Sequence, residues 1–68
     1  MEIGTKVRFS EHGLDWLYPV HNYCRQRAIL QRFEIVGYSR DGECLRVKHL
    51  NTPKHYCSTY HRSFLSVV

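Results

Sequence analysis

Sixty-eight residues allow one domain, spanning 1–68. A chain this short buries only about 60% of its unfolded surface on folding, so the deep pocket that many enzymes use is not expected. Ten Lys and Arg against six Asp and Glu leave a net charge of +4, which attracts nucleic acid, an acidic protein or anionic lipid without naming any of them.

Three cysteines, Cys24, Cys44 and Cys57, are odd in number and lack CxxC spacing. That argues against a disulfide framework and for a reducing, cytoplasmic setting in which thiols act as small apolar side chains. The start MEIGTKVRF has no apolar signal core, and no window approaches the roughly eighteen apolar residues of a membrane span.

In chain order, Thr5 to Ser10 (TKVRFS) alternates, with Val7 and Phe9 to one side and Lys6 and Arg8 to the other, as a half-buried strand does. Glu11 to Arg32 keeps no strict alternation and is punctuated by Gly13 and Pro19. Its Leu14, Trp16, Leu17, Tyr18, Tyr23, Ile29 and Leu30 nevertheless make it too apolar for a disordered loop. It reads as a long first loop that packs on the rest, compatible with a short helix near residues 22–31 capped by Asn22. Phe33 to Ser39 is a second strand, with Phe33 and Ile35 on one face and Glu34, Val36 and Tyr38 on the other; Gly37 marks a bend or a close backbone approach. Asp41-Gly42 then forms a two-residue hairpin turn in which both central residues take positive φ.

The third strand, Cys44 to Leu50, points Leu45 and Val47 inward and Arg46 and Lys48 outward. Asn51-Thr52-Pro53-Lys54 is a second turn, His55 to Thr59 a fourth strand, Tyr60 to Phe64 one tight turn, and Leu65 to Val68 a last strand. A strand, a long loop, a three-stranded meander, a single 3₁₀-like turn and a closing strand are the plan of an all-β, five-stranded SH3-like barrel, whose closure removes exposed edges.

The segments GTKVRFS, VGYSRDGECLRVKHL and TPKHYCSTYHRSFLSV resemble small uncharacterised proteins encoded in phage, prophage and associated bacterial genomes. In those a VGxSRDG turn, an RVxW-type strand, a TP turn and a YHxSFLEV-like ending recur. The resemblance covers the second half, residues 33–68, and the first strand. It implies an SH3-like fold and a phage or bacterial origin, and no activity. His49 stands where that pattern has tryptophan, and the insertion from Ser10 to Arg32 matches no motif.

Among groups that carry chemistry, a basic set stands out: Arg8, Arg25, Arg27, Arg32, Arg40, Arg46, Lys48 and Lys54, interleaved with Trp16, Tyr18, Tyr23 and Tyr38. Phosphate binding needs several cations on one face, and aromatic planes add base stacking of roughly 1 to 3 kcal/mol each. The plain alternative is a surface charged for solubility. His55, Cys57 and His61, with Cys44 and His49 near them, lack the paired spacing of a zinc site, so no metal is expected. Cys57 with His61, or Cys24 with His21, has no third orienting group, and no GxxxxGK[ST] or GxGxxG element is present.

The expectation is a non-enzymatic binding module without a cofactor, cytoplasmic in a bacterium. Nucleic acid is the first partner class, held by Arg8, Arg32, Arg40, Arg46, Lys48, Lys54 and Tyr38. The rival is a protein-binding module that engages a host protein through the aromatic 14–30 insertion, with Trp16, Tyr18, Tyr23 and Tyr60 as contacts. Against it stands the reading in which those aromatics simply cap a small core.

Overall fold

A computed structural model describes residues 1–68. The chain runs β1 (Lys6–Phe9), α1 (Glu11–Leu17), α2 (Tyr23–Ile29), β2 (Phe33–Tyr38), β3 (Cys44–His49), β4 (Cys57–His61), a 3₁₀ turn (Arg62–Phe64) and β5 (Leu65–Val67). The five strands form one antiparallel sheet in the order β4-β3-β2-β1-β5. This is a small α+β fold with an open sheet, which corrects the expected all-β closed barrel: β4 and β5 are both edges and share no ladder.

The sheet is nevertheless strongly curled. Four inter-strand spacings of about 4.8 Å would separate the two edges of a flat sheet by roughly 19 Å. The short 3₁₀ turn takes the chain from His61 at one edge to Leu65 at the other, and that many Cα steps reach about 14 Å at most. The turn is tied at both ends, by the Arg62 N–H to the Glu43 carbonyl at 2.8 Å and by the Ser10 N–H to the Phe64 carbonyl at 2.7 Å.

The first loop is where the expectation departs furthest from the fold. Ser10 caps α1 by accepting from the Gly13 N–H at 3.0 Å, while its own hydroxyl donates to the Ser63 carbonyl at 2.7 Å. Glu11 adds a favourable charge in the first turn. Asn22 does cap a helix, α2, accepting from the Cys24 and Arg25 amides. Arg25 is buried between the two helices, its guanidinium 3.0 Å from the Asp15 carboxylate and 3.0 Å from the Tyr18 carbonyl.

One face of the sheet carries the core: Val7, Phe9, Phe33, Ile35, Leu45, Val47 and Leu65, joined by Leu14 from α1 and Ala28 from α2. Three details of the meander differ from expectation. The hairpin between β2 and β3 has only Gly42 at positive φ, +75°; the Gly42 N–H donates to the Ser39 carbonyl, and the Asp41 carboxylate is held by the Ser39 hydroxyl and the Glu43 amide. A bulge between Ile35 and Gly37 leaves Val36 unpaired and sets Tyr38 opposite Leu45, so Tyr38 lies on the core side and not beside Glu34. The loop before β4 runs two residues longer than expected, held by Thr52 and Tyr56 bonding the Lys54 carbonyl, so β4 begins at Cys57.

Gly13 lies against the 3₁₀ turn so closely that a Cβ would fall 2.5 Å from the Phe64 carbonyl oxygen and 2.9 Å from its Cα. A Gly to Ala change inside a helix ordinarily stabilises by about 1 kcal/mol. Here the sign is reversed: Gly13→Ala is expected to destabilise by roughly 1–3 kcal/mol, as overpacking does, read from urea unfolding midpoints.

Candidate functional site

Strand alternation and register divide the sheet into two chemically different faces. On the outer face Lys6 is opposite Glu34, and Glu34 is opposite Lys48. Arg46 is opposite Thr59 and Gly37, and Arg8 is opposite Ser66. Lys6, Arg8, Arg46 and Lys48 therefore share one surface, with Glu34 as the carboxylate among them. Lys6 bonds that carboxylate at 2.7 Å, and Lys6 first, then Lys48, hold the Glu34 carboxyl below the usual carboxylate range. Arg8 and Arg46 make no ion pair.

Of the expected nucleic-acid contacts, Arg8, Arg46 and Lys48 come together and the rest do not. Arg40 is exposed in the β2–β3 hairpin, at one end of β3, and Lys54 in the loop at the other end. Arg32 turns its guanidinium back to the Ile29 and Gln31 carbonyls at 3.0 and 2.9 Å, closing the end of α2. Tyr38 donates its hydroxyl to the Met1 carbonyl on the core side. Lys6, which belongs to the basic face, and Glu34, which tempers it, were not in the expected set; their opposed register across β1 and β2 is invisible until strands are paired.

The expected protein contacts also separate. Trp16 is 69% exposed on α1, stacked on Phe64 with centroids 6.5 Å apart, and so does not cap the core. Tyr23 is 70% exposed at the start of α2, with the Arg27 guanidinium 5.7 Å from its ring. Tyr18 and Tyr60 do pack against the core. Cys57 and His61 lie on the outer side of β4 and His55 in the preceding loop, and no cluster of three His, Cys, Asp or Glu side chains is placed to share a metal ion.

On the core side, α2 stands off the sheet and leaves a cleft of about 350 Å³. Its floor is aromatic. Phe9 meets Phe33 and Tyr60 edge-to-face at 5.0 and 5.2 Å, and Phe33 meets His49 at 4.8 Å. Cys24, Arg27 and Ala28 line it from α2, at helical spacings that put them on one face, and Gln31 lines it just past the helix end. That spacing was the available signal for the cleft wall.

His49 bonds Ser58 Oγ through Nε2 at 2.7 Å, and loss of solvent pushes its pKa below the ordinary histidine value. Burial pushes the Tyr60 phenol up, with Ser58 partly opposing it. Because the folded form disfavours protonated His49, its contribution to stability is full above the unfolded pKa of about 6.5 and is lost as pH falls through the lower folded value. An NMR titration is expected to place the His49 midpoint below about 6.5, and His49→Asn to flatten the thermal unfolding profile in that acid window.

The chain matches no protein-family model, no curated protein and no solved structure.

Proposed function

We propose that the protein is a nucleic-acid-binding module that engages phosphates through the outer face of its sheet. The observation that carries this reading is the gathering of Lys6, Arg8, Arg46 and Lys48 on one strand face, with core packing confined to the opposite face. Cations spaced along adjacent strands meet a row of phosphates without reading bases, so affinity is electrostatic and sequence-independent. Arg40 and Lys54 lie in exposed loops beyond the two ends of β3, outside this cluster. The three free cysteines accord with a reducing, cytoplasmic setting, and no helix is long and apolar enough to cross a membrane.

A second reading has its own observation. Trp16, Leu17, Val20, Ile29 and Leu30 are exposed apolar side chains concentrated in the helical segment, and such concentrations mark protein contacts. In that reading the basic face steers an acidic host protein and the helical segment holds it.

Fluorescence polarisation with single- and double-stranded oligonucleotides across salt concentrations separates the two. With four cations engaged, log K against log salt is expected to fall with a slope of about −3 to −4 on duplex, from non-specific affinities near 10⁻⁴ to 10⁻⁶ M. Arg8→Ala and Arg46→Ala each make that slope shallower by about one. Glu34→Gln, which removes the carboxylate from the face, strengthens binding. Absence of binding at low salt, or binding indifferent to Arg46 and lost with Trp16→Ala, overturns the nucleic-acid reading.

A further inference from the structure

The cleft between α2 and the sheet has a chemistry that the outer face does not share. Half-buried Tyr18 and Tyr60 give it its reachable aromatic surface, Phe9 and Phe33 being buried in the core behind them; no Asp or Glu lines it, and Arg27 is its one arginine. Arg27 makes no ion pair; it is exposed at the edge of the cleft, its guanidinium 5.7 Å from the ring of Tyr23, which lies outside the cleft. Gln31 adds an amide beside the rings, while the Thr52 hydroxyl and His49 Nε2 are bonded to the Lys54 carbonyl and Ser58 Oγ.

We propose that this cleft binds a nucleoside monophosphate, its heterocycle against the Tyr18 and Tyr60 rings and its phosphate on Arg27 at the exposed edge. Volume is the first argument, since about 350 Å³ lies within the range of small-ligand sites. Charge is the second: an arginine in a cleft without carboxylates selects an anion, and guanidinium matches phosphate in geometry as well as sign. The third is the mixture of aromatic surface on Tyr18 and Tyr60 with the Gln31 amide. A nucleobase offers a planar face to the rings and a polar edge to the amide together, whereas a hydrocarbon ring offers only the first. The site is separate from the outer basic face, and neither reading depends on the other.

The test is a ¹⁵N-HSQC titration with AMP, GMP, CMP and UMP, alongside the corresponding nucleosides, inorganic phosphate and indole-3-acetate as a planar carboxylate. Saturable shifts at Cys24, Gln31, His49 and Thr52 are expected from at least one monophosphate, with affinity about tenfold or more above its nucleoside. Arg27→Ala brings the monophosphate down to the nucleoside level, and Arg27→Lys restores part of the difference. Cys24→Trp, at an exposed position of the cleft wall, abolishes binding of both. Unchanged spectra away from each substitution establish that the variants fold.

The proposal is overturned by the absence of saturable shifts at millimolar ligand, or by shifts confined to Arg8, Arg46 and Lys48. It is overturned equally if inorganic phosphate or indole-3-acetate binds as tightly as every monophosphate, or if Arg27→Ala leaves the monophosphate affinity unchanged. Oligonucleotide binding lost through Arg8→Ala and Arg46→Ala, with the cleft titration intact, separates the failure of one site from that of the other.

Discussion

A guanidinium buried between two short helices holds one side of this molecule in place. Helices of seven residues do not persist in water by propensity, because nucleation costs more than so few hydrogen bonds return. Arg25 on α2 reaches both the Asp15 carboxylate on α1 and the Tyr18 carbonyl just beyond α1's end, binding the helices to each other. Asp15 is largely exposed, so its charge keeps its water and the pair avoids the full desolvation of a buried ion pair. Ala28, one turn further along α2, then anchors the pair to the core. The cleft wall stands where it does because these contacts hold the helix that forms it.

The sheet assigns opposite chemistries to its two sides through nothing more than the period of two along each strand. Arg46 and Lys48 alternate with Leu45 and Val47, and Lys6 and Arg8 alternate with Val7 and Phe9; antiparallel pairing brings the matching sets into line. Glu34 sits opposite both Lys6 and Lys48, and the hydrogen bond from Lys6 with the charges of Lys6 and Lys48 holds its pKa below the usual carboxylate range. The bulge at Val36 breaks the alternation once and moves the phenol of Tyr38 to the core side, where it ties down the N-terminal segment.

Most of the sheet was legible in the sequence because alternation is a local signal: β1, β2, β3 and β5 lie within a residue or two of where TKVRFS, FEIVGYS, ECLRVKHL and LSVV place them. The outward position of Arg46 and Lys48 was legible for the same reason. What could not be seen is settled at a distance. Gly13 reads as a helix breaker, yet its missing side chain lets α1 approach the Phe64 backbone, so the glycine that hides α1 from a propensity argument is the one its packing requires. The barrel expectation failed on edge pairing, which no single strand encodes. Tyr38 was misassigned by one inserted residue, since a one-residue shift exchanges the faces of everything after it. Arg32 looked like a free cation because a side chain folding back on the Ile29 and Gln31 carbonyls leaves no mark in the residue pattern, even where a helix near 22–31 is expected.

The order of the strands governs how the chain assembles. β2, β3 and β4 are neighbours in sequence as well as in space, joined by a hairpin and a loop, so their ladders close short loops and can form early. β1 reaches β2 only across the whole helical segment, and β5 pairs solely with β1, from the opposite end of the chain. The meander is thus the persistent unit, and the β1–β5 ladder is the seam. With β1 as its one partner strand and Leu65 as its one core residue, β5 is where local opening is expected to begin.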